Sequence, residues 1–120
     1  MKHEESKIQR ACVHWFRSSH PRILLVSFLN GVYIAGTPGQ RAMRWNILKA
    51  EGAVVGIPDL MVCHASKGYH ALYIEMKTET GKLSYDQKLI HAYLINAGYC
   101  VKICRSFDEF TNTINNYLQS

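Results

Sequence analysis

The chain contains no Cys-x-x-Cys pair, and its four cysteines, Cys12, Cys63, Cys100 and Cys104, lie in strongly apolar segments. That pattern argues against zinc ligation and a disulfide framework, and it predicts reduced, buried thiols. No apolar run approaches the roughly 20 residues that a membrane span requires, which excludes a membrane protein. The segment Lys2 to Arg10 after Met1 is mostly polar and lacks the apolar stretch of a secretory signal, so the expected location is cytoplasmic. No repeat, low-complexity tract or linker interrupts the sequence, and 120 residues suffice for one domain with a core but not for two of ordinary size. Acidic residues are scarce: 9 Asp and Glu against 14 Lys and Arg leave a net charge of +5. Such a balance favours a polyanionic partner without naming it.

What is present is an alternation of helix and strand signals. From Glu4 to Arg17 the apolar positions Ile8, Ala11, Cys12, Trp15 and Phe16 recur at helical spacing, until Ser18-Ser19-His20-Pro21 breaks the pattern. Arg22 to Phe28 reads as a buried strand, and Asn30-Gly31 and Gly36-Thr37-Pro38-Gly39 mark loop on both sides of Val32-Tyr33-Ile34. Gln40 to Glu51 predicts a second helix carrying Met43, Ile47, Leu48 and Ala50, with Gly52 ending it in a left-handed cap and Arg41, Arg44 and Lys49 on its outside. Pro58 to His64 and His70 to Lys77 read as antiparallel strands joined by Ala65-Ser66-Lys67-Gly68-Tyr69. Ser84 to Ala97 follows as a helix with Leu89, Ile90, Tyr93 and Leu94 inward and Gly98 at its end. A strand from Tyr99 to Cys104 and a last helix from Ser106 to Leu118 complete a single α/β domain with a mixed sheet.

The chemistry concentrates in Gly56-Ile57-Pro58-Asp59 and Glu75-Met76-Lys77, with fifteen residues between Asp59 and Glu75. If the hairpin pairs His64 with His70, Asp59 stands opposite Glu75, and their Cβ atoms lie about 4.5 to 5.5 Å apart. Two bare carboxylates that close repel one another, so the pair calls for a shared proton or a cation. Magnesium or manganese prefers oxygen ligands, and the backbone carbonyl of Met76 offers a third. Alternation places Tyr73, Glu75 and Lys77 on one strand face and Leu72, Ile74 and Met76 on the other, core-like face. A lysine on that side could orient an attacking water or offset charge developing on phosphorus. The plain alternative is a surface hairpin with an ordinary Glu and Lys along a solvated face.

These residues together resemble the virus-type replication-repair nucleases, VRR-NUC, of the PD-(D/E)XK superfamily, and the resemblance covers most of the chain. It rests on Glu5 with Ile8-Gln9, Asn30 after the first strand, Leu48 to Gly52 before Gly56-Ile57-Pro58-Asp59-Leu60, Glu75-Met76-Lys77, and Ser84 with Gln87. The resemblance implies a restriction-endonuclease-like fold, a mixed central sheet flanked by helices. It also implies that Glu5, Asp59 and Glu75 gather round a Mg2+ or Mn2+ ion, with Lys77 catalytic. Stand-alone phage and bacterial relatives resemble resolvases that act as homodimers on four-way Holliday junctions in replication, recombination or repair. The implied partners are therefore branched DNA and a second copy of the chain, inside a bacterial or phage-infected cell.

Several assignments stay open on the sequence. Glu4 competes with Glu5, because either can join the inward stripe with Ile8. Gln87 is a catalytic candidate by resemblance, yet Ser84-x-x-Gln87 is also a helix capping box, a pattern that Ser106 and Glu109 repeat far from any suspected site. Asn30 is either a turn residue or part of the rim of the site. His64 and His70 face each other across the turn without a third soft ligand nearby, which speaks against a metal role. Tyr33, Arg41, Arg44, Trp45, Lys67, Tyr69, Lys82 and Tyr85 are available to grip phosphates or stack on bases. Two functions follow: a divalent-metal-dependent DNA endonuclease, selective for junctions or for flaps and single strands, or a DNA-binding or assembly module that keeps the fold without independent activity.

Overall fold

A computed structural model describes residues 3–28 and 35–119. Helix α1 (His3–Ser19) carries Glu4 and Glu5 in its first turn and Arg17 in its last, an arrangement that complements the helix dipole. Its stripe of Cys12 and Phe16 is fully buried. Strand β1 is only Leu25–Ser27, shorter than the expected run from Arg22 to Phe28. The expected features at Asn30, Gly31 and Val32 to Ile34 lie outside the described residues.

Helix α2 (Pro38–Ala50) begins two residues before its predicted start, because Thr37 caps it and Gln40 reaches back to the Thr37 N–H at 2.9 Å. Proline fits the first helical turn, where its missing N–H would be unpaired anyway. Gly52 takes the left-handed conformation expected after the cap, at φ +113°. None of the α2 side chains is buried, and Met43, Ile47 and Leu48 are exposed.

The sheet has the order β1-β2-β3-β4. Strands β2 (Leu60–Val62) and β3 (Leu72–Met76) pair antiparallel in the predicted register, Leu60 with Ile74, Met61 with Tyr73 and Val62 with Leu72. The link turns at Lys67 and Gly68, both at positive φ (+53° and +86°), with the Tyr69 N–H bonded to the Ser66 carbonyl at 2.9 Å. Two successive positive φ values match the twist of a hairpin. β1 runs antiparallel to β2, and β4 (Cys100–Cys104) runs parallel to β3.

Between β3 and β4 the chain crosses over through α3 (Tyr85–Asn96), and α4 (Phe107–Leu118) follows β4. One sheet face supplies Leu25, Leu60, Val62, Leu72, Ile74, Met76, Cys100 and Cys104, which pack with Cys12 and Phe16 of α1 and Phe110, Ile114 and Tyr117 of α4. Cys12, Cys100 and Cys104 are buried free thiols, as expected, but Cys63 is exposed. Its place just beyond β2 has the parity of Met61, on the face away from this core.

The predicted inner stripe of α3 requires correction. Leu89 and Tyr93 are 51% and 69% exposed, whereas His91 and Leu94 are buried and Gln87 and Ile90 are half-buried. The helix is oriented by its capping glutamine. With Gln87 turned to the sheet, positions four and seven residues on follow it inward, and Leu89 and Tyr93 fall on the far side.

Candidate active site

The loop before β2 is pressed onto the start of α3. Gly56 has φ +93°, and a Cβ there would lie 2.6 Å from the backbone C and O of Asp86 and 2.9 Å from the Gln87 nitrogen. Only glycine meets both the conformation and the space. The loop thereby delivers Pro58 and Asp59 to the start of β2, with Gly56 seated on the first turn of α3.

Asp59 is 5% exposed. Its Oδ2 accepts the Met76 N–H at 2.7 Å, and its backbone carbonyl accepts the Phe28 N–H at 3.1 Å. A strand residue directs its N–H and C=O to the same side, so the Met76 carbonyl points toward Asp59 as well. Continuing the observed register one step beyond Leu60 and Ile74 sets Asp59 opposite Glu75.

Glu75 is 2% exposed in the middle of the sheet, and both of its oxygens are engaged from α3. His91 Nε2 lies 3.0 Å from Oε1, and Gln87 Nε2 donates to Oε2 at 3.4 Å. Gln87 serves both purposes that its spacing allowed: its Oε1 accepts the Ser84 N–H at 2.9 Å while its nitrogen reaches Glu75. On the same strand face Tyr73 stacks on Phe28 (5.9 Å) and meets Tyr99 edge-on (5.3 Å).

The two acids act on each other directly. Asp59 is pushed up to about 8, first by burial, then by the charge of Glu75 and a hydrogen bond with it. The Met76 N–H pulls in the opposite direction, and Glu5 adds a smaller upward push. With no cation between them, the pair holds a proton at neutral pH.

Glu5 is half-buried and its charge reaches Asp59, whereas Glu4 is exposed. Yet no three His, Cys, Asp or Glu side chains among the described residues converge closely enough to hold a metal ion by themselves. The expected ring of Glu5, Asp59 and Glu75 is therefore a close pair with a third acid at longer range. Glu5 approaches from α1, which packs against the opposite face of the sheet.

Lys77 continues β3 with its N–H bonded to the Cys104 carbonyl at 3.0 Å, and its side chain is half-buried. The loop after it is clamped by Arg105, whose Nη1 donates to the carbonyls of Thr78 and Gly81 at 2.8 and 2.6 Å. His64 and His70 are exposed at the other end of the hairpin and join no metal-binding group among the described residues. Lys67, Tyr69, Arg41, Arg44, Lys82 and Tyr85 are exposed, and Trp45 is half-buried. Asn30 and Tyr33 lie outside the described residues.

The sequence model of the VRR-NUC domain matches residues 3–108. The chain belongs to the VRR-NUC family. A solved structure titled "VRR_NUC domain protein" superposes with a TM-score of 0.73 at 24% identity, covering 99% of this chain and 91% of that one. No curated protein matches the sequence. The mixed sheet flanked by helices is thus the PD-(D/E)XK fold, and the chain is a nuclease-type domain. Among the described residues of this VRR-NUC chain, no helix is long and apolar enough to cross a membrane. Sequence reasoning missed His91. The signal was present as a polar residue four positions after Gln87 on a helix, which places both on one face.

Proposed function

We propose that this VRR-NUC domain is a divalent-metal-dependent DNA endonuclease that selects branched substrates such as four-way junctions, in replication, recombination or repair. The observation that carries the reading is the buried pair Asp59 and Glu75, which needs a proton or a cation between its carboxylates. The donors present suit a hard ion: the carboxylates of Asp59 and Glu75, with the Met76 backbone, whose N–H already meets Asp59, offering its carbonyl oxygen beside them. Asp59, Glu75 and Met76 would hold Mg2+ or Mn2+, and Glu5, whose charge already reaches Asp59, would complete the set on moving closer. When bound, such an ion lowers the pKa of water and polarises the scissile phosphate. Lys77, on the face of Glu75, orients the attacking water and offsets negative charge developing on phosphorus. Gln87 holds Glu75 while capping α3.

Purified protein is incubated with junction, flap and duplex DNA in Mg2+ or Mn2+. Cleavage is expected on the branched DNA, and Asp59→Ala or Lys77→Ala should reduce it by about 100-fold or more. Undiminished cutting by either variant refutes the assignment, and binding without cutting by the wild type favours a DNA-binding module instead. The proposed working unit is a homodimer, supported by the unburied apolar side chains Met43, Ile47 and Leu48 on α2.

A further inference from the structure

We propose that His91 is a positioning residue, which fixes the Glu75 carboxylate for the cation through one oxygen while Gln87 fixes the other. This rests on the metal-centre reading above. Gln87 and His91 stand one turn apart on α3 and therefore project from the same face. Each takes a different oxygen of one carboxylate, His91 the Oε1 and Gln87 the Oε2. Two donors from one rigid element set both the rotamer and the plane of the group, leaving its other lone pairs for a ligand.

The rest of α3 is built to hold that position. Its first turn is capped by Ser84 and abuts Gly56, so the helix that orients Glu75 is also the wall against which the Asp59 loop is seated. The spacing of the two acids is thus referred to a single helix. A neutral imidazole suffices for this role, with its proton on Nε2, from which it donates across the 3.0 Å contact to Oε1 of an ionised Glu75. His91 is 6% exposed. An apolar side chain of similar size in its place would leave Oε1 of the buried Glu75 without this partner.

The test is calorimetric titration with Mn2+ alone, on wild type, His91→Gln, His91→Asn and His91→Phe, with melting curves in EDTA. Glutamine carries its amide nitrogen where Nε2 stands and should keep wild-type Mn2+ affinity to within a few-fold. Asparagine stops short at the Nδ1 position, and phenylalanine offers no donor. Each should lose about 10- to 100-fold in affinity, the range for removing a group that orients a metal ligand. The Mg2+ concentration for half-maximal cleavage should rise in parallel. Folded His91→Asn or His91→Phe binding Mn2+ as the wild type does overturns the proposal, as does an equal loss in His91→Gln. Should His91→Phe fail to fold, the comparison of the glutamine and asparagine variants decides alone. A wild-type chain that takes up no Mn2+ overturns the metal-centre reading, and this inference with it.

Discussion

At the scale of residues, the site trades stability for function in a way that a titration can read. Asp59 titrates near 3.8 when unfolded and is pushed up to about 8 in the fold, mainly by burial and by Glu75. Between those values the folded chain holds a proton that the unfolded chain has released. The resulting stability is full below pH 3.8 and is lost as pH rises through about 8. Each unit of pKa difference corresponds to about 1.4 kcal/mol, so the metal-free fold should lose on the order of a few kcal/mol across that window. Asparagine at 59 copies the protonated acid, since its carbonyl can accept the Met76 N–H and its amide can donate to Glu75. Melting curves in EDTA from pH 5 to 8 should fall for the wild type and stay flatter for Asp59→Asn, which becomes the more stable protein by several degrees at pH 8. The same variant should lose Mn2+ uptake. A parallel pH slope in both proteins contradicts the coupling of Asp59 to Glu75.

Elements show where sequence was informative and where it was not. The hairpin register was legible because alternation, a glycine-containing link and two charged ends leave little freedom to slip. Helix caps were legible at Ser84 and Ser106 but missed at Thr37, where Pro38-Gly39 reads as loop although both residues belong to the first turn of α2. The facing of α3 was not legible. Leu89, Tyr93 and Ile95 compete with Leu94 for the inward stripe, and the polar grip of Gln87 and His91 on Glu75 decides against them. Asp59 and Glu75 were readable as partners, whereas the longer range of Glu5 depends on how α1 lies on the other face. Contact between elements also yields a prediction. Alanine at Gly56 is strained by its φ of +93° and strikes the Asp86 backbone, which cannot move aside as a side chain would. Gly52→Ala meets the same kind of backbone strain, at φ +113°, with open space around it. Gly56→Ala should therefore cost clearly more than the roughly 1–3 kcal/mol of backbone strain alone, and Gly52→Ala no more than that amount. Denaturant unfolding of the two variants measures the difference, and equal losses would show that the seat of the loop on α3 is loose.

For the whole molecule, the distribution of apolar surface argues for a second copy. The core lies between one sheet face and α1 with α4, while α2 buries none of its side chains. A thirteen-residue helix with Met43, Ile47 and Leu48 exposed, followed closely by exposed Val54 and Val55, draws little stability from the rest of the chain. Such a helix is marginal by itself in water, and a partner that covers its apolar positions supplies what the fold leaves out. A stable interface buries about 800 Å2 on each side, more than one short helix offers, so neighbouring surface must contribute. A symmetric pair would also present two sites and twice the +5 charge of one chain to a branched polyanion. Sedimentation velocity at micromolar concentration should find a dimer. Ile47→Asp should shift it to monomer, because the introduced carboxylate would be buried unpaired in the interface, with helix content preserved by circular dichroism. Mn2+ affinity per chain should survive that change, since Asp59 and Glu75 come from one chain, while cutting of junction DNA should fall more than cutting of single flaps. A wild type that sediments as a monomer with and without junction DNA removes the dimer from the proposed function and leaves the metal centre standing.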